Sequence, residues 1–172
     1  MASISVDYFN NLAKFLKIPL GKISIKDNVC IRTHDNKTTI GVINIIFSLL
    51  KESKLCLKPN NHLDEAQMRQ WLEYTIIYLI HNNQNLHSTF KDLNEHLETK
   101  TYLVNEQFSI ADAFLYYVLV KIMINLSPLD KEKYIHVSRW FDNVQQDSTL
   151  RQSNNLINFN TNYLATLVPA KH

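Results

Sequence analysis

The sequence predicts an α+β, mostly helical fold, with a small mixed lobe followed by an all-helical bundle. Three observations carry that expectation. Up to about residue 50, apolar residues fall partly in short alternating segments; beyond residue 62 they recur at helical spacing over long stretches. Residues 55–61, with Pro59 and two asparagines, interrupt the pattern between the two regimes. The run from Ala113 to Ile124 is apolar almost all round, and a helix of that kind belongs at the centre of a bundle.

In order along the chain, Ile4, Tyr8, Leu12 and Phe15 share one face of a helix predicted over 3–16, which Pro19 and Gly21 should end. Segments 22–25 and 28–33 are rich in Ile and Val and predict strands. His34-Asp35-Asn36-Lys37 reads as a turn. Residues 38–50 begin extended and become an apolar helix through Val42, Ile45, Ile46, Leu49 and Leu50. These elements make a first domain over 1–55, with a linker at 56–62 and a helical domain over 63–172.

In that second domain, Asp64 and Gln67 suggest a capping box opening a helix to about Ile80. Leu86, Phe90, Leu93 and Leu97 mark an amphipathic helix after an Asn-rich loop. Ser109 and Asp112 stand at N-cap and N3 of the central helix, where hydroxyl and carboxylate can satisfy each other's amides. Ser127-Pro128 opens another helix, expected to run on through Tyr134, Val137, Trp140, Phe141 and Val144. A short helix is expected after Asp147. Leu156, Ile157, Phe159, Tyr163 and Leu164 are expected to dock an otherwise loosely ordered tail.

Composition removes several function classes. Gly21 and Gly41 are the only glycines among 172 residues, too few for a Rossmann fingerprint or a P-loop. A net charge of +2 gives no bulk attraction for nucleic acid. Cys30 and Cys56 form no CxxC pair and fit a reducing compartment. The first nine residues lack a secretory signal's apolar run, and no apolar stretch is long enough to span a membrane. The expectation is a cytosolic protein. His34, His62, His81, His87, His96, His136 and His172 form no HxxxH pair, so no metal-ligating residues are assigned.

Phe108-Ser109-Ile110-Ala111-Asp112 resembles the F-[ST]-x-A-D box of the glutathione-transferase superfamily, and Val137-Ser138-Arg139-Trp140-Phe141 resembles a segment of its translation-associated members. Gln70-Trp71-Leu72-Glu73-Tyr74, Lys91-Asp92-Leu93-Asn94, Glu132-Lys133-Tyr134 and Arg151-Gln152 follow the same order and spacing as in the aminoacyl-tRNA synthetase complex-interacting multifunctional proteins. The resemblance implies a glutathione-transferase-like fold, with a reduced thioredoxin-like N-terminal lobe and an all-α C-terminal bundle. It implies a scaffold that binds the transferase-like domains of methionyl- and glutamyl-prolyl-tRNA synthetases, in the cytoplasm, with a nuclear role in the DNA-damage response as a second implication. A glutathione-binding transferase and an elongation-factor structural subunit are the alternatives.

The same resemblance argues against catalysis. A transferase needs an N-terminal hydroxyl or thiol for the glutathione thiolate, and a cis-proline before its third strand. Here Val29 stands near that proline's position, and Thr39 alone could mimic a backbone-binding hydroxyl. No catalytic residue and no cofactor is therefore expected. On the family view, partners meet two surfaces. One is formed by the helices over 41–51 and 64–80, with Ile43, Ile46, Leu50, Met68 and Arg69 as candidates and Trp71 as a weaker one. The other centres on Arg139 and the loop 81–86. A homodimer is also open. Ser109 and Asp112 are assigned to helix capping, not chemistry.

Overall fold

The computed structural model describes residues 4–26, 29–81 and 85–159. Helix α1, Val6–Leu16, is capped by Ser5, whose hydroxyl accepts from the Asp7 amide at 3.2 Å. It stops before Pro19 and Gly21 are reached. Lys17 takes a left-handed conformation, φ 55°, and its amide closes back on the last turn. Strands β1 (Lys22–Lys26), β2 (Val29–His34) and β3 (Lys37–Ile40) then form an antiparallel meander in the order β1-β2-β3. Asp35 and Asn36 both sit at positive φ, 47° and 61°, as a two-residue hairpin between paired His34 and Lys37 requires.

Strand alternation sends Cys30 and Arg32 inward, toward helix α2 (Val42–Glu52), which lies against β2 and β3. Arg32 is a buried charge, 2% exposed, and all five of its N–H groups are used. Nε donates to the Leu20 carbonyl at 2.8 Å and Nη1 to Ser48 Oγ at 3.0 Å. Nη1 and Nη2 grip the two Glu52 carboxylate oxygens at 2.6 and 2.7 Å, and Nη2 also reaches the Pro19 carbonyl at 3.2 Å. One side chain thus ties the α1–β1 connection to the end of α2. Gly21 permits this path. Its φ is 74°, and a Cβ there would lie 2.7 Å from the Thr33 carbonyl.

After a stretch without helix or strand, α3 spans His62–Tyr74. The expected cap at Asp64 is corrected: the N-cap is Asn61, whose Oδ1 accepts from the Asp64 amide at 2.8 Å. Asp64 is instead the buried N3 residue, accepting from Asn60 N and Asn105 Nδ2. Residues Thr75–His81 continue the rod as a π-helical segment. It begins where the Thr75 hydroxyl donates to the Trp71 carbonyl at 2.8 Å and competes for that turn's acceptor.

Helix α4 is Leu86–His96 and helix α5 is Ile110–Asn125. As its composition demands, α5 is buried on every side from Ile110 to Val120. The single continuous helix expected after Ser127 is two. Helix α6 (Pro128–Lys133) ends at Tyr134, whose non-helical φ and ψ, −105° and 55°, turn the chain into α7 (Ile135–Gln145). Asp147 caps α8, Ser148–Arg151. Of the tail residues expected to dock, Ile157 and Phe159 do so, while Leu156 is 55% exposed and Tyr163 and Leu164 lie outside the described residues. Ile157 exchanges two hydrogen bonds with the buried side-chain amide of Gln145, at 2.8 and 2.9 Å.

One apolar core runs through both lobes. Helix α1 packs on α2 and α5, with Tyr8 set edge-on to Phe114 and Phe15 to Phe108.

Candidate partner-docking faces

Helix α2 begins at Gly41, φ 92°, and runs beside α3. Where the first turn of α2 faces the rod of α3, a groove of about 360 Å³ opens. Its walls are apolar: Val42 and Ile43 from α2, Ile76 and Ile77 from the π-helical segment. Ile77 is 48% exposed, more than a purely structural isoleucine needs. Two charges border the groove on α3. Arg69 lies over the Phe47 ring, 4.2 Å from its centroid, and donates twice to Glu65 Oε1, at 3.1 and 2.8 Å. Its Nη1 makes no hydrogen bond to any described residue. Glu73, one turn on, is exposed and has no ion pair among the described residues.

The structure divides the candidates on this face. Ile43 and Arg69 line the groove. Ile46, Leu50 and Met68 do not: at 0%, 1% and 5% exposure they belong to the core, because their side of each helix faces α5, the sheet and the neighbouring helix. A rigid partner cannot reach them. Trp71 points elsewhere, into an aromatic row with Tyr74 and His96 at 5.3 and 4.2 Å. Val42, Glu73, Ile76 and Ile77 were not singled out as contacts. The i, i+4, i+7 and i+8 spacing of Arg69, Glu73, Ile76 and Ile77 was the available signal.

The second face holds a different arrangement. Arg139 is exposed on α7, yet its guanidinium Nη2 donates to the Leu97 and Lys100 carbonyls. Those carbonyls lie at and just beyond the C-cap of α4, where the backbone has acceptors to spare and a cation meets the negative end of the helix dipole. In the other direction, Asn94 of α4 accepts from the His136 and Val137 amides at 2.9 and 3.3 Å. These are the N2 and N3 amides of α7, a helix with no side-chain cap of its own. The two helices cap each other. Of the loop 81–86 assigned to this face, residues 82–84 lie outside the described residues. Beside it, His87 joins Tyr134 through Nδ1 at 3.0 Å and Lys133 through Nε2 at 2.9 Å.

The Ser109–Asp112 capping box forms and is larger than the sequence suggested. Asp112 Oδ2 accepts from the Ser109 amide and hydroxyl at 3.0 and 2.7 Å. Oδ1 accepts from the Leu103 amide at 2.9 Å and the Trp140 indole at 3.0 Å. Burial pushes this carboxyl upward, while its four donors pull the other way. The hydrogen bonds tie down both oxygens of a carboxylate closed off from solvent. Burial likewise pushes up the Cys30 thiol, which behaves as a small apolar side chain. Cys56 is exposed. Among the described residues, no group of three His, Cys, Asp or Glu side chains is placed to hold a metal ion, and no helix is long and apolar enough to cross a membrane.

Residues 64–148 match a family model described as nuclear-export cofactor Arc1p. Eukaryotic translation elongation factor 1 epsilon-1 of Homo sapiens is 35% identical over 139 residues, covering 79% of this chain and 80% of that one. The tRNA-aminoacylation cofactor arc1 of Schizosaccharomyces pombe is 25% identical over 122 residues, 70% of this chain but 26% of its own length. A glutathione S-transferase of class Gtt2 from Vibrio parahaemolyticus superposes with a TM-score of 0.65 over 88% of this chain and 94% of its own, at 17% sequence identity. That likeness establishes the glutathione-transferase-like fold and nothing of the chemistry. At 35% identity over four-fifths of the human protein, the chain belongs to the eukaryotic translation elongation factor 1 epsilon-1 family.

Proposed function

We propose that this protein is a non-catalytic adaptor that docks transferase-like domains of methionyl- and glutamyl-prolyl-tRNA synthetases into a multi-synthetase complex. Its two lobes, 1–55 and 63–172 joined by 56–62, act as one rigid block presenting two faces. The groove between α2 and α3 carries the reading. Its lining mixes four apolar side chains with Arg69 and Glu73, a composition that suits a protein-docking surface. Arg69, placed over Phe47 with Nη1 left over, is set to receive a partner's carboxylate, and Glu73 a partner's cation. Relatives named eukaryotic translation elongation factor 1 epsilon-1 and tRNA-aminoacylation cofactor support work in translation, which we place in the cytoplasm. The nuclear role that the resemblance carries is a lesser part of the proposal, checked by following the tagged chain after DNA damage.

The test is co-purification of the full chain with both synthetases, with wild type beside an Ile43→Glu/Ile77→Glu variant. The variant should lose one synthetase and keep the other, because a buried charge replaces two contacts worth about 1.5–3 kcal/mol each. Absence of both synthetases from the wild-type eluate would sink the adaptor reading. Turnover of a generic electrophile with glutathione would favour a transferase instead.

A further inference from the structure

The net charge of +2 hides a division. Residues 1–61 carry nine Lys and Arg against four Asp and Glu, and residues 62–172 carry nine against twelve. The fold concentrates the positive half further. Helices α1 and α2 both end at the same edge of the N-terminal lobe, where the Ser53 hydroxyl of the α2 cap meets the Leu16 carbonyl at 3.2 Å. Strand pairing brings the start of β1 to the end of β2 (Lys22 opposite Thr33) and the start of β3 beside it (Lys37 opposite His34). Arg32 draws the α1–β1 connection and Glu52 together at that edge. Lys14, Lys17, Lys22, Lys37, Lys51 and Lys54 are therefore gathered at one end, all exposed, with no ion pair among the described residues. Of the acids there, Glu52 is held by Arg32, and Asp35 stands exposed 3.4 Å from His34.

Each lysine alone has a local explanation. Lys14 and Lys51 suit helix C-termini, and Lys22 and Lys37 guard strand edges against unwanted pairing. Six together without a free acid to match them, Asp35 aside, make a surface that repels itself and attracts an anionic partner.

We propose that this lysine-rich end binds an acidic, extended polypeptide segment. The chemistry of the face favours carboxylates over nucleic-acid phosphate. Phosphate is gripped by arginine forks, helix N-termini and stacked aromatic rings. Here the lobe's one arginine is fully used inside, both helices present C-termini, and Phe9, Phe15 and Phe47 are buried. What the face offers an extended chain is main-chain pairing, because β1 and β3 are each paired on one side only within the sheet. Lysines at the head of both strands then select an acidic one.

The test measures fluorescence anisotropy of a labelled twelve-residue Asp/Glu-rich peptide and of a labelled RNA hairpin against the full chain, at low and moderate salt. The peptide should bind, weakening steeply with salt. Lys22→Glu/Lys37→Glu/Lys51→Glu/Lys54→Glu should weaken it at least tenfold with far-UV dichroism unchanged, while Lys91→Glu/Lys121→Glu should not. Unchanged peptide binding by the fourfold variant, no peptide binding by wild type, or tighter binding of the RNA would each overturn the assignment. The surface lies apart from the α2–α3 groove, so synthetase co-purification should survive the fourfold variant.

Discussion

Two buried polar side chains, Asp112 and Arg32, should weigh on the stability of the fold, for opposite reasons. Asp112 is an acceptor that four donors require. Asp112→Ala would strand the Trp140 indole, two amides and a hydroxyl, and should cost about 4 kcal/mol in urea unfolding. Arg32 is a donor that needs its acceptors. Glu52→Ala should cost about 3 kcal/mol, because it leaves a buried guanidinium uncompensated, more than the pair itself is worth. The hydrogen bonds from Arg32 hold the Glu52 carboxyl below the usual carboxylate range, against the contrary pull of desolvation. A carboxylate lowered in the folded state stabilises above its unfolded value and loses that stabilisation as pH falls through the folded one. The stability gap between wild type and Glu52→Gln should therefore be full at neutral pH and close below about pH 4. Equilibrium unfolding at pH 7, 5 and 3 measures it. The sequence displayed Asp112's capping role, because its partner Ser109 stands three residues away. It did not display Arg32's, whose acceptors lie twelve to twenty residues away.

Among the elements, helix starts and stops were legible where a local signal was unique and misread where two signals competed. Asn61 and Asp64 both offer a cap three residues apart, and the earlier one wins because Asp64 is needed inside by Asn60 and Asn105. The break at Tyr134 had no proline or glycine to announce it. It is enforced from outside, by His87 on the Tyr134 hydroxyl and Asn94 on the His136 and Val137 amides of the next helix. Asn94→Ala removes the side-chain cap that α7 has among the described residues and should cost about 1 kcal/mol. Arg139→Ala removes two charge-assisted bonds at the end of α4, worth about 2 kcal/mol. The second variant separates structure from recognition. If Arg139 also touches a synthetase, that synthetase should be lost even at a temperature where dichroism shows the variant fully folded. The candidates on α2 were half legible, since periodicity shows which residues are apolar but not which apolar residues a neighbour will cover. Ile43 and Ile46 look alike in sequence, and only packing sends one to the groove and the other to the core.

At the scale of the molecule, one apolar core spans both regions of the chain, so they should unfold together. A unit of about sixty residues rarely supplies an adequate core by itself, and α1 spends much of its apolar face on α5. A fragment of residues 1–61 should accordingly show no cooperative unfolding by circular dichroism. In the whole chain, helical content and the fluorescence of Trp71 and Trp140 should be lost in one coincident transition. Gln152 strengthens that coupling: its side chain donates to both the Asn11 carbonyl and the Tyr117 hydroxyl, at 2.7 and 2.9 Å, from a backbone at φ 53° and ψ −123°. Such a conformation is costly for a residue with a Cβ, and the strain is held in place by the two lobes it joins.

The mutual capping of α4 and α7 has a consequence for descent as well as for stability. Asn94 holds the start of α7 and Arg139 the end of α4, so losing either should loosen the same contact between the two helices. Across related chains the two positions should change together, or be inherited together, whatever happens to the partners this protein has gained or lost. Where a lineage has replaced Arg139 to suit a new neighbour, position 94 is where the compensating substitution should be found.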